Sequence, residues 1–86
     1  MNDYYLAVFD STHHAMRFEK VVKDGGFKIN IMPVPREITA SCGLSVKMDR
    51  TDYDDIRVLA DNEKLIVKGY YLVETQNNKK TYHKSI

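Results

Sequence analysis

Twice along this chain a strand-length apolar run gives way to residues spaced as on one face of a helix, and this change of period narrows the possible folds more than any other feature. The first run is Tyr4-Tyr5-Leu6-Ala7-Val8-Phe9, apolar and aromatic throughout. Asp10-Ser11-Thr12 then supplies side chains that cap helices, and Ala15, Phe18, Val21 and Val22 recur at helical spacing with Arg17, Glu19, Lys20 and Lys23 between them. Gly25-Gly26 ends the helix, with one glycine expected in the left-handed conformation. Phe27-Lys28-Ile29-Asn30-Ile31 alternates with period two, so Phe27, Ile29 and Ile31 should face a core.

The second half repeats the order. Leu44-Ser45-Val46-Lys47-Met48 alternates as a strand, and Thr51 or Asp52 can cap a segment in which Tyr53, Ile56, Leu59 and Ala60 share a face. Asp52, Asp54 and Asp55 sit where the helix dipole favours negative charge. Leu65 to Val73 reads as a long final strand, and residues from about Gln76 read as a tail. The predicted order is therefore βαββαβ, an α+β ferredoxin-like sandwich. Its four-stranded antiparallel sheet would have the order 4-1-3-2, with two helices on one face. One domain over residues 1–75 with a C-terminal tail over 76–86 fits a chain of 86 residues, which is too short for a second lobe or an enclosed cofactor cavity. No cofactor is expected, and any site should lie at the surface.

Thirteen basic against twelve acidic residues leave a formal charge of +1, so no broad field draws the chain to nucleic acid or anionic lipid. The basic run Lys79-Lys80-Thr81-Tyr82-His83-Lys84 reads as solvated rather than as an RNA contact. No nucleic-acid partner is expected. A single cysteine gives no disulfide framework, Met1-Asn2-Asp3-Tyr4 lacks the layout of a signal peptide, and no apolar run approaches the roughly 20 residues of a membrane helix. These features lead us to expect a cytoplasmic protein without a membrane partner.

That cysteine, Cys42, stands in Ala40-Ser41-Cys42-Gly43 at the end of the segment Pro33-Val34-Pro35-Arg36-Glu37-Ile38-Thr39 between two strands. In the expected topology the start of the third strand (Cys42, Gly43) shares an edge with the end of the first (Phe9, Asp10) and the start of the first helix (Ser11 to His14). A helix N-terminus and a neighbouring His or Arg both favour thiolate over thiol. This makes Cys42 the candidate reactive thiol, supported by Asp10, Ser11, Thr12, His13, His14, Arg36 and Gly43. Gly43 would let another molecule's sulfur approach, and Pro35 would open a short helical turn through Ile38. Each residue also has a plainer role. Ser11 and Thr12 cap a helix, His13 and His14 point in different directions, Arg36 and Glu37 pair in solvent, and a free cysteine is commonly buried as a small hydrophobe. Zinc binding by Cys42, Asp10 and one histidine lacks a chelating spacing, so no metal is expected.

The run Tyr4 to Ala15, with Phe9-Asp10-Ser11-Thr12 before the helix, and Pro33-Val34-Pro35-Arg36-Glu37-Ile38 leading to Ser41-Cys42-Gly43-Leu44, resembles the small bacterial family of selenium/sulfur carrier-like proteins. The resemblance runs to about Glu74. It implies that Cys42 bears sulfur or selenium as a persulfide-type adduct, with Arg36, Ser41 and Gly43 shaping its loop. Partners would then be sulfur or selenium donor and acceptor proteins. The Cys-Pro motif of better-known sulfur-relay carriers is missing. The alternative is a noncatalytic binding or regulatory module of the same fold in which Cys42 is structural.

Period two in the first strand separates Leu6 and Val8 from Tyr5, Ala7 and Phe9. In the final strand it separates Val67, Tyr71 and Val73 from Ile66, Tyr70 and Leu72. Helices can cover one face only, so a bare apolar face interrupted by Ser45 and Lys47, and with it a two-fold homodimer, is the further expectation.

Overall fold

The computed structural model describes residues 3–38 and 43–85. Its central strand, β1 (Tyr4–Val8), is hydrogen-bonded on both sides, antiparallel to β3 (Leu44–Asp49) and to β4 (Gly69–Gln76). Both faces of β1 are covered, which is what its unbroken apolar sequence requires. Tyr5, Ala7 and Phe9 pack under α1 (Thr12–Asp24) and α2 (Tyr53–Asn62), where Ala15, Phe18, Val22, Tyr53, Ile56 and Ala60 complete the larger core. Tyr4 and Leu6 lie on the other face with Val73. The strand order is β2-β3-β1-β4-β5, with β2 spanning Ile29–Pro33 and β5 spanning Lys79–Ser85. The molecule is thus a mixed α/β protein with two helices against one face of a five-stranded antiparallel sheet.

The expected four strands become five. Residues assigned to a tail form β5, paired with β4 from Tyr70↔Ser85 to Gln76↔Lys79. The turn between them is two residues long, Asn77 and Asn78, with φ of 51° and 65°. This is the left-handed pair of a type I′ hairpin, a conformation asparagine tolerates better than most residues.

Both helices end in the same way, and the endings set where the next strand can start. At α1, Phe27 N–H donates to Val22 O (3.3 Å) and Gly26 N–H to Lys23 O (2.9 Å), with Gly26 at φ 92°. At α2, Leu65 N–H donates to Ala60 O (2.9 Å) and Lys64 N–H to Asp61 O (3.2 Å), with Lys64 at φ 55°. Each is a Schellman exit. Phe27 and Leu65 were expected to begin strands, but their amides close the preceding helix, so β2 begins at Ile29 and β4 at Gly69. Their side chains still pack against the core.

The face away from the helices is not bare, which corrects the premise for a dimer. Leu6 and Val73 are fully buried and Val8 is 2% exposed within this one chain. Ile38, from the β2–β3 connection, and Tyr82, from β5, pack against the cluster of Tyr4, Leu6 and Val73. Ser45 points to this same face, is fully buried, and donates its hydroxyl proton to Met32 O at 3.0 Å. Tyr70, set apart from Tyr71 and Val73 by period two, lies under the helices between Phe18 and Tyr53.

Candidate functional site

Cys42, together with Thr39, Ala40 and Ser41, lies outside the described residues, so the edge is built here from what surrounds it. The β2–β3 connection leaves β2 at Pro33 and is fastened early. Val34 N–H donates to Gly43 O at 3.1 Å, joining the two ends of the connection. Pro35 opens a turn that Ile38 N–H closes onto Pro35 O at 3.0 Å, which suits proline at a position that needs no amide donor. Ile38 then reaches the open-face cluster of Tyr4, Leu6 and Val73. Glu37 comes close enough to Tyr82 for its charge to matter. Burial foremost, and then the Glu37 carboxylate, push the Tyr82 phenol above its usual range. Through Ile38 the described first half of the connection is therefore folded onto the open face.

Gly43 stands beside the end of β1. A Cβ built on it would lie 3.7 Å from Phe9 O and 3.8 Å from Val34 Cγ2, ordinary contact distances. Packing among the described residues does not require a glycine here. From Phe9 the chain enters α1 through Ser11, whose extended backbone (φ −141°, ψ 153°) and side chain cap the helix, Oγ accepting from His14 N–H at 3.2 Å. Such a cap is worth about 1 kcal/mol. Thr12 opens the helix and is exposed.

The remaining predicted residues disperse. Asp10 faces solvent and meets Lys68 Nζ at 3.5 Å, with side-chain exposures of 67% and 52%. An ion pair so open contributes less than about 1 kcal/mol. Lys68 is held there by its own amide, which donates to Val8 O at 2.8 Å. The histidines diverge as adjacent helical positions must: their ring centroids are 5.9 Å apart, His13 is exposed and His14 half-buried. His14 Nδ1 is shielded from solvent and has no hydrogen-bond partner among the described residues. Arg36 is exposed. Among the described residues no cluster of three His, Cys, Asp or Glu side chains could hold a metal ion, and no helix is long and apolar enough to cross a membrane.

Sequence reasoning missed Lys68 and Tyr82. Lys68 falls in what read as strand interior, and Tyr82 in what read as tail. The signal for Tyr82 was the Asn77-Asn78 pair, a hairpin turn that brings the following residues back beside β4.

No curated protein and no solved structure matches this chain. A family model described as Putative Se/S carrier protein-like matches residues 4–72, from the first residue of β1 to Leu72 in β4. That stretch includes both helices, the β2–β3 connection and Cys42, and on it the chain belongs to the Se/S carrier protein-like family.

Proposed function

We propose that the chain carries sulfane sulfur or selenium on Cys42, taking it from a donor protein and passing it to an acceptor in the cytoplasm. The observation that carries this reading is the family match, which spans the chain's one cysteine. The edge geometry supports it. Gly43, bonded to Cys42, lies against Phe9 O, and two residues after Phe9 the Ser11 cap opens α1, whose N-terminus favours a thiolate nearby. The frame supports it as well. We read the strand order β4-β1-β3-β2, with both helices on one face, as a ferredoxin-like core to which β5 is added.

In the reaction the Cys42 thiolate attacks the outer sulfur of a donor persulfide. The new S–S bond forms as the donor's own S–S bond breaks, the donor leaves as thiolate, and the hydrogen remains on the transferred atom. No external oxidant or reductant is consumed, and one cysteine suffices. Selenium transfers in the same way when it occupies the outer position.

Incubation with a cysteine desulfurase and cysteine should add the mass of one sulfur atom to the wild type and nothing to Cys42→Ser. Equal addition to both proteins, or none to the wild type under conditions that load a control carrier, discards the reading and leaves a noncatalytic binding module ahead.

A further inference from the structure

At the end of β1 away from Gly43, two ammonium groups converge on one aromatic ring. Lys47 Nζ, from β3, lies 4.4 Å from the centroid of the Tyr4 ring. Lys80 Nζ, from β5, lies 5.9 Å from the same centroid and donates to the Tyr4 hydroxyl at 3.5 Å. Both ammonium groups lie on this one ring, so no more than about a Debye length separates them, and they repel. A counter-anion would relieve that repulsion, yet no carboxylate lies within ion-pair distance of either lysine among the described residues. Two carboxylates of the groove these lysines line have partners of their own. Asp3 pairs with Arg50 at 3.3 Å, and Asp49 accepts from Thr51 N–H at 3.0 Å and from its hydroxyl at 3.1 Å, bonds that hold the Asp49 carboxyl below its usual range.

Lys28, Lys47 and Lys80 line one open groove of about 940 Å³ together with Asp3, Asp49 and Asp52. Asn30 and Thr75 add uncharged polar groups, while Phe27 and Met48 give it an apolar wall. A concave surface with a few convergent polar groups is how small-ligand sites are usually built.

We infer that this groove binds a small molecule headed by a phosphate or carboxylate group, the anion seated between Lys47 and Lys80 beside Tyr4. The body of the ligand bears hydrogen-bond donors that reach toward Asp49 and Asp52. Binding here is independent of Cys42.

The test is a titration at fixed ionic strength and pH with inorganic phosphate, ribose 5-phosphate and citrate, followed by NMR shifts of the lysine side-chain CH₂ groups next to Nζ. Saturable shifts of Lys47 and Lys80 are expected, with ribose 5-phosphate tighter than inorganic phosphate if the head group is phosphate and citrate tightest if it is carboxylate. Lys47→Gln with Lys80→Gln should weaken binding at least tenfold, and Lys80→Gln alone, an exposed position on the hairpin, should weaken it by less while leaving the fold intact. Lys84→Gln is the control and should bind as wild type. Linear, non-saturating shifts with all three ions, or equal affinity in wild type and Lys80→Gln, overturn the inference.

Discussion

Lys64 ends α2 at φ 55°, where a residue bearing a Cβ is held about 1 kcal/mol or more above its preferred backbone. The Schellman bonds from Lys64 and Leu65 compel this conformation. Lys64→Gly should therefore raise stability by about 0.5–1 kcal/mol, less than the full strain because glycine also frees the unfolded chain. Gly26→Ala, at φ 92° in the matching place after α1, should lower stability by a similar amount. Urea unfolding with an unchanged slope checks both. Only one of these two positions was legible beforehand. Gly25-Gly26 signals a left-handed residue because glycine is the common solution, whereas a lysine in the same conformation leaves no mark in the sequence. The same contrast separates Ser11, readable as a cap from its residue type, from Lys68, whose contact with Asp10 depends on where an irregular segment crosses β1.

At the scale of elements, β5 is the part that local reading missed. Its residues Lys79 to Ser85 are mostly exposed and strongly polar, so period two is visible only at Tyr82. An edge strand gains its stability from one ladder and from whatever its few apolar residues cover. Tyr82 covers the cluster of Tyr4, Leu6 and Val73, facing Ile38 of the β2–β3 connection. Tyr82→Ala should cost about 1–2 kcal/mol, below the full cost of a large-to-small change in a sealed core because the ring is only half-buried. Lys79→Ala, on the same strand and exposed, should stay within about 0.5 kcal/mol. Thermal melts that leave Tyr82→Ala as stable as Lys79→Ala would return these residues to the role of a tail. The helices, by contrast, were readable because Ala15, Phe18 and Val22, and Tyr53, Ile56 and Ala60, are the residues they bury. Their spacing carries that information without any partner.

Across the whole molecule, an aromatic cluster ties the helices to β1, β4 and β5. Tyr53 stacks on Tyr5 with centroids 3.6 Å apart, meets Tyr70 edge-on at 5.6 Å, accepts from Arg57 Nη1 at 3.0 Å, and shares a 2.7 Å hydrogen bond with the Ser85 hydroxyl. Burial, more than the neighbouring charges, pushes the Tyr70 phenol up to about 12. An unfolded tyrosine ionises near 10, so the unfolded chain loses its proton first as pH rises. The neutral ring thus contributes stability that is fully present below about pH 10 and is lost on the way to pH 12. Tyr82, shifted in the same direction, adds to the loss. Tm should hold steady from pH 8 to 9.5 and fall beyond, with a smaller fall in Tyr70→Phe. An equal fall in Tyr70→Phe would show that Tyr70 is not its source.

The strand at the centre of the sheet is also the first strand among the described residues. Tyr4–Val8 pairs with Leu44–Asp49 and with Gly69–Val73, and neither partner exists until much of the remaining sequence has been made. On the ribosome, at roughly 5–20 residues per second, its apolar residues therefore wait seconds for a ladder. α1 can form meanwhile from local contacts alone and shelter one face of it, while the other face stays open until the Pro35–Ile38 turn and finally Tyr82 arrive. Such non-local pairing makes closure of the sheet a late event. The newborn chain is most vulnerable to sticking just before its last hairpin emerges.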